Sequence, residues 1–313
     1  MTLALITSCS NRKSLSAGAR INAQCLSEGN HIEVANAWAE KVKKLRPTIE
    51  ACELYNSRGA TIARRLGTED HCSNWIVSAG LGLLGSRDLV PGYDLTITGN
   101  SENNIQTKIK GEVFDSQLWW KEISSNFKRK TNLKNISSRQ KVSLLIVALP
   151  TTYLRMITDD LRSISHKNLH KLRILGCGVE SVPDDLKEYW LPYDFRLDGP
   201  DSPIPGTKSD FSYRTAQHFI EFILGKTKSK SIKRHYTLVS ESLNDLRFPV
   251  TIKRKQLEDE EIKTLINTLW ASADGQVGRM LRLFRDEEKI ACEQGRFAKL
   301  FREVRKERHE KKG

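Results

Sequence analysis

The run from Val142 to Leu149, closed by Pro150, constrains this chain more than any other segment. It is the longest apolar stretch in the sequence. It falls well short of the ~18 residues of a membrane span and carries too few polar side chains for a surface element, so it reads as a buried strand. Shorter strands are expected at Leu3 to Ile6, Trp75 to Val77 and Leu172 to Leu175, with helical spacing from Val34 to Leu45, Glu53 to Leu66 and Tyr153 to Ile164. Alternation of this kind predicts an α/β fold, a mostly parallel sheet flanked by helices, over residues 1–225. Loops that follow the carboxyl ends of such strands are where ligands sit. Residues 226–240 read as a basic linker, and 241–313 as a small helical domain of the helix-turn-helix kind, with helices at Leu257 to Trp270, Gln276 to Phe284 and Arg296 to Arg305.

Charge separates the same regions. Lys and Arg number 51 against 38 Asp and Glu, a formal net charge of +13. Residues 225–313 hold 22 basic and 14 acidic side chains, and residues 100–141 hold 9 and 4, so the rest of the amino-terminal part is nearly neutral. A neutral core with basic flanks fits a polyanionic partner, DNA first among them; two solvated lysine-rich segments are the plainer account. The six cysteines form no CxxC pair, which predicts free thiols in a cytoplasmic protein. No membrane segment or secretory leader is expected. His166 and His170 have no acidic or thiol partner at ligand spacing, so neither a metal nor another cofactor is expected.

Three loops carry residues suited to chemistry. Ser8-Cys9-Ser10-Asn11-Arg12-Lys13 follows the first strand and offers hydroxyls, a carboxamide and two cations for a phosphate or a base edge. Ser78-Ala79-Gly80 and the following Tyr93-Asp94 supply close backbone approach, a stacking face and a carboxylate. A tight turn with Asp94 as a cap fits that segment equally well. Gly80 to Gly85 satisfies GxGxxG formally, without the acidic ribose partner of a dinucleotide site. In the loop from Ser202 to Arg214, the side chains of Lys208, Ser209, Tyr213 and Arg214 suit a phosphodiester, and Arg279 and Arg282 of the last domain suit the same role. Trp119-Trp120 reads either as a wedge for stacked bases or as a core anchor.

The ordered set Leu5 to Lys13, Glu53-Leu54-Tyr55-Asn56-Ser57, Ile76 to Leu84 and Tyr93 to Thr96 resembles a bacterial family related to the glycosylase-like module of archaeosine synthase, itself similar to the uracil-DNA glycosylase fold. Members with a basic carboxyl-terminal module resemble anti-phage DNA glycosylases. The resemblance implies a base-flipping hydrolase that excises a modified base, a hypermodified cytosine, from double-stranded phage DNA and leaves an abasic site. It makes Asn11 the residue that positions water. No Asp occupies that loop, so Asp94 is the expected carboxylate. Ser8, Cys9, Ser10, Arg12, Lys13, Tyr55, Ser57, Ser78, Gly80 and Tyr93 become the expected substrate contacts. A monofunctional reaction is expected over a Schiff base at Lys13. A base-exchanging transglycosylase acting on tRNA or DNA and a non-catalytic DNA-binding nucleotide sensor are the alternatives.

Overall fold

The computed structural model describes residues 2–14, 20–68, 71–99, 101–128, 131–250 and 253–310. The chain forms two compact units, residues 1–249 and 250–313. The first is built on a five-stranded sheet of β1 (Leu3–Ser8), β2 (Cys72–Ser78), β3 (Gly82–Gly85), β4 (Leu144–Ala148) and β5 (Leu172–Leu175). The spatial order is β3-β2-β1-β4-β5. All neighbours are parallel except β2 and β3, which form a hairpin. Gly80 to Gly85 therefore turns into a strand, with no helix behind it to receive a dinucleotide.

Period-two alternation along β1 and β4 sends side chains to two separate cores. Ala4, Ile6, Leu145 and Val147 pack with Val34 and Trp38 of α1 (His31–Lys43) and with Trp119, Trp120 and Ile123 of α2 (Ser116–Phe127). Trp119 and Trp120 are thus core anchors of the basic 100–141 segment. Arg129 and Lys130 of that segment lie outside the described residues. On the opposite face Leu3, Leu5, Leu144 and Ile146 pack with Phe211 and Ala216 of α3 (Phe211–His218) and with Leu238, Val239 and Leu243 of α4 (Ile232–Asn244).

Helix α4 corrects the expected division of the chain. Its basic residues Lys233 and Arg234 are exposed, but His235, Leu238, Val239 and Leu243 form one apolar stripe at helical spacing. Residues 226–240 are therefore largely a helix of the first unit, and the boundary falls after Pro249. The second unit has α5 (Asp259–Thr268), α6 (Val277–Arg282) and α7 (Gln294–Glu310), close to the three expected helices. A two-residue parallel ribbon, Lys255–Gln256 with Ile290–Ala291, was not expected. Ile262, Ile266, Met280, Phe284, Phe297 and Phe301 form its core. None of the six cysteines is in a disulfide, and no helix among the described residues is long and apolar enough to cross a membrane.

Two histidines are buried neutral. His235 accepts from Arg173 Nε at its Nδ1 (2.9 Å) and faces the Ser229 carbonyl with Nε2 (2.9 Å), so a second proton would stand against a guanidinium. Burial, then Arg173, lowers its pKa to about 4. Burial, then Lys226, lowers that of His218, packed beside Tyr193, to about 4. Both folded-state values lie below the unfolded value of roughly 6.5. Their contribution is therefore complete above that value and is lost as pH falls toward 4. Urea unfolding followed by tryptophan fluorescence should show stability dropping by about 2–4 kcal/mol between pH 7.5 and 5; an unchanged midpoint would show that neither histidine is held neutral.

Candidate active site

Because β1, β2 and β4 run parallel, the segments that follow them emerge along one edge of the sheet. The amide of Cys9 continues the β1 ladder by donating to the Val77 carbonyl (2.9 Å). The loop after it is then stitched to a distant segment. Lys13 and Tyr55 form an antiparallel bridge, Asn56 N donates to the Arg12 carbonyl (2.8 Å), and Ser14 N donates to the Leu54 carbonyl (2.7 Å). Two of the motifs read from sequence are thus one local structure. Ser57 then caps the helix Arg58–Gly67 by accepting from Ala60 N (3.1 Å).

A cavity of about 530 Å³ opens at this edge. Ser8, Cys9, Ser10, Asn11 and Arg12 form one wall, Ser57, Arg58 and Gly59 another, and Pro150 and Tyr153 the segment after β4. Thr207, Ser209, Asp210 and Tyr213 close it, with Thr98 at the margin. The Tyr213 hydroxyl donates to the Ser8 carbonyl (2.7 Å) and also lies 3.2 Å from Ser8 Oγ. Cys9 Sγ and the Tyr153 hydroxyl are 3.1 Å apart. A Cβ on Gly59 would lie 2.3 Å from the Tyr213 ring, so only glycine lets that helix start against the ring. Burial raises the pKa of Tyr153 and Tyr213, and both stay protonated donors at neutral pH. The result is a polar, aromatic-walled hollow with two guanidinium groups at its sides, one carboxylate, and the first amides of a ten-residue helix beside it.

Other expected contacts lie behind this wall. Tyr55, Ser78 and Tyr93 form a closed hydroxyl triangle with sides of 3.0, 2.9 and 2.8 Å, each residue at most 2% exposed. The Gly80 carbonyl accepts from Trp38 Nε1 (2.8 Å), the Ala79 carbonyl accepts from Trp119 Nε1 (2.9 Å), and a Cβ on Gly80 would strike the Tyr93 ring. These residues fix the second loop and, with Gly80, do not line the cavity.

Asp94 is also displaced from its expected place. Its carboxylate faces Lys13 Nζ (3.7 Å) and Arg20 Nη1 (3.9 Å) and is not part of the cavity lining among the described residues. The Lys13 side chain is only 2% exposed and lies over the Tyr93 ring. Burial lowers its pKa against the opposing pull of Cys9 and Asp94. Lys13 is therefore removed from water, but it too lies off the cavity lining.

Asp210 is the carboxylate in the hollow, and sequence reasoning missed it. Its Oδ1 accepts from Thr207 N (2.8 Å) and from Arg214 Nε (2.7 Å), while Oδ2 is 3.6 Å from Arg58 Nε. Arg214 is fully buried, and each of its five N–H donors has a partner: Asp210, Asp198 and the carbonyls of Leu197, Ile204 and Thr207. No donor remains for a phosphate, so its expected DNA role is wrong. Tyr213, 4% exposed and bonded to Ser8, faces the cavity and not a DNA backbone. Lys208 and Ser209 are exposed, Arg279 pairs with Asp274, and Arg282 is exposed on α6. Tyr153 was legible in part, since it follows Pro150 at the end of the strongest strand; Arg58 adjoins the Ser57 cap.

Among the described residues no three His, Cys, Asp or Glu side chains gather in a way that would hold a metal ion. A scan of protein-family models and searches of curated proteins and solved structures return no match to this chain.

Replacing Arg214 by Met strands two buried carboxylates and should cost about 3–5 kcal/mol of unfolding free energy. A variant as stable as the parent but weaker on DNA would restore the phosphate role.

Proposed function

We propose that this chain is a DNA glycosylase that hydrolyses the N-glycosidic bond of an everted, modified base. The observation that carries the reading is the convergence of the Ser8–Arg12 loop, the Ser57–Gly59 helix start and the Asp210–Tyr213 segment on one hollow at the carboxyl edge of a parallel sheet. A nucleotide has a π-face, polar edges and a phosphate, and this wall offers Tyr153 and Tyr213, the hydroxyls of Ser8 and Ser10, and Arg12, Arg58 and the helix amides.

In this mechanism Asn11, exposed at the mouth, holds the attacking water. Water oxygen bonds to C1′ as the C1′–N bond breaks, and the bonding pair leaves with the base. One water proton ends on the base nitrogen and the other stays on the new sugar hydroxyl. Positive charge that develops on the sugar ring is met by Asp210, held in place by Arg214. Asp210 therefore takes the part first assigned to Asp94. Lys13 lies off the lining, which favours the water-using, monofunctional course. The second unit, with the exposed Arg282, is read as the module that holds duplex DNA, and hypermodified cytosine in phage DNA is the substrate expected.

Incubating the chain with DNAs that carry different modified cytosines, followed by mass analysis of free bases and labelling of abasic sites, tests the reading. Release of one base with a matching abasic site is expected, and Asn11→Ala should slow it by at least ~10²-fold without loss of stability. Incorporation of a labelled free base with no abasic site, or full activity in Asn11→Ala, would contradict it.

A further inference from the structure

The second unit holds a cavity of about 510 Å³ that the reaction does not use, lined by Arg254, Gln256, Arg285, Cys292, Glu293 and Arg296 with Ile290 and Ala291. Two of its charged groups are committed to the fold. Arg296 donates to Asp259 Oδ1 (2.7 Å) and to the Leu257 carbonyl (3.0 Å). Glu293 accepts from the amides of Gly295 (2.9 Å) and Arg296 (2.7 Å) at the start of α7, and these bonds lower its pKa.

Arg254 and Arg285 are different. Arg254 Nε donates to the Arg285 carbonyl (3.2 Å), and Arg285 Nη2 makes a long contact with the Cys292 carbonyl (3.4 Å). Among the described residues neither guanidinium has a carboxylate within ion-pair distance, unlike Lys263, Arg279 and Arg296 of the same unit. Each keeps donors unused. Their spacing is set by backbone, because Lys255 pairs with Ile290 in the ribbon and Lys255 N donates to the Lys289 carbonyl (2.8 Å). Two arginines on separate segments, anchored by backbone bonds and without an ion-paired carboxylate, form a cleft for a tetrahedral oxyanion whose oxygens each take a planar fork; the Glu293 carboxylate that feels Arg285 is already held by the amides of α7.

We infer that Arg254 and Arg285 clamp a phosphodiester of the DNA backbone, at a site separate from the hollow where the base is cut. The choice of DNA as the source of the phosphate rests on the proposed function. Direct contact with one phosphate displaces condensed counterions, so the clamp is read in the salt dependence of binding.

The test compares the full chain with Arg254→Gln/Arg285→Gln and with Arg254→Lys/Arg285→Lys. Duplex affinity is measured by fluorescence anisotropy across a potassium chloride series, and base release at saturating duplex is measured in parallel. The glutamine pair should bind about tenfold or more weakly at 0.1 M salt, with the slope of log affinity against log salt shallower by about 1. The lysine pair should keep most of the slope, and base release at saturation should be unchanged in both. Inorganic phosphate binding is measured alongside by calorimetry. Unaltered duplex affinity and slope in the glutamine pair with phosphate binding also unaltered would overturn the site; the same duplex result with phosphate binding lost would overturn its assignment to DNA. Binding is read without turnover, so the clamp stands or falls separately from the glycosylase reading.

Discussion

The buried fork of Arg214 is the interaction on which the cavity depends. One guanidinium ties together Leu197, Asp198, Ile204, Thr207 and Asp210, residues that would otherwise belong to a long proline-containing connection with few backbone bonds of its own. A cation fully removed from water is tolerated only when every donor is met and its charge is compensated, and here both conditions hold. The same fork fixes the start of α3, from which Tyr213 reaches the Ser8 carbonyl. The wall opposite the first loop is therefore pinned by buried bonds. Fixed groups of this kind are what a site needs if it is to meet charge developing on a sugar without relying on water.

A second layer of order supports the other wall. The hydroxyl triangle of Tyr55, Ser78 and Tyr93 joins three chain segments with no charge inside, and burial keeps both phenols protonated. Lys13 and Asp94 close its flank as an ion pair beside the Tyr93 ring. Side chains that looked like ligand contacts in sequence thus position the loop that lines the cavity. A hydroxyl, a glycine and an aromatic near strand ends suit both tasks, and only distance from the cavity separates them.

The strands at Leu3 to Ile6 and Val142 to Leu149 were legible because burial on both faces leaves an almost unbroken apolar run. That the loop from Ser8 to Arg12 lines a cavity was legible from its place, because parallel strands deliver the loops that follow them to one edge of the sheet. The end of the first unit was misread because Lys226, Lys228, Lys230 and Lys233 mask the stripe His235, Leu238, Val239 and Leu243. That Asp210 and not Asp94 lines the cavity was not legible, since membership of the lining depends on segments more than a hundred residues apart. Arg214 carried one clue, an aspartate four residues earlier on the same helical turn, but sequence does not separate a buried fork from a phosphate clamp.

A hollow that stabilises a positively charged sugar should prefer a duplex carrying a cationic pyrrolidine in place of one deoxyribose over the same duplex carrying a neutral abasic analogue. The cationic duplex should bind at least ~10²-fold more tightly, with most of that preference lost in Asp210→Asn and kept in Asp94→Asn. Equal affinity for the two duplexes would mean that the hollow does not stabilise such a sugar.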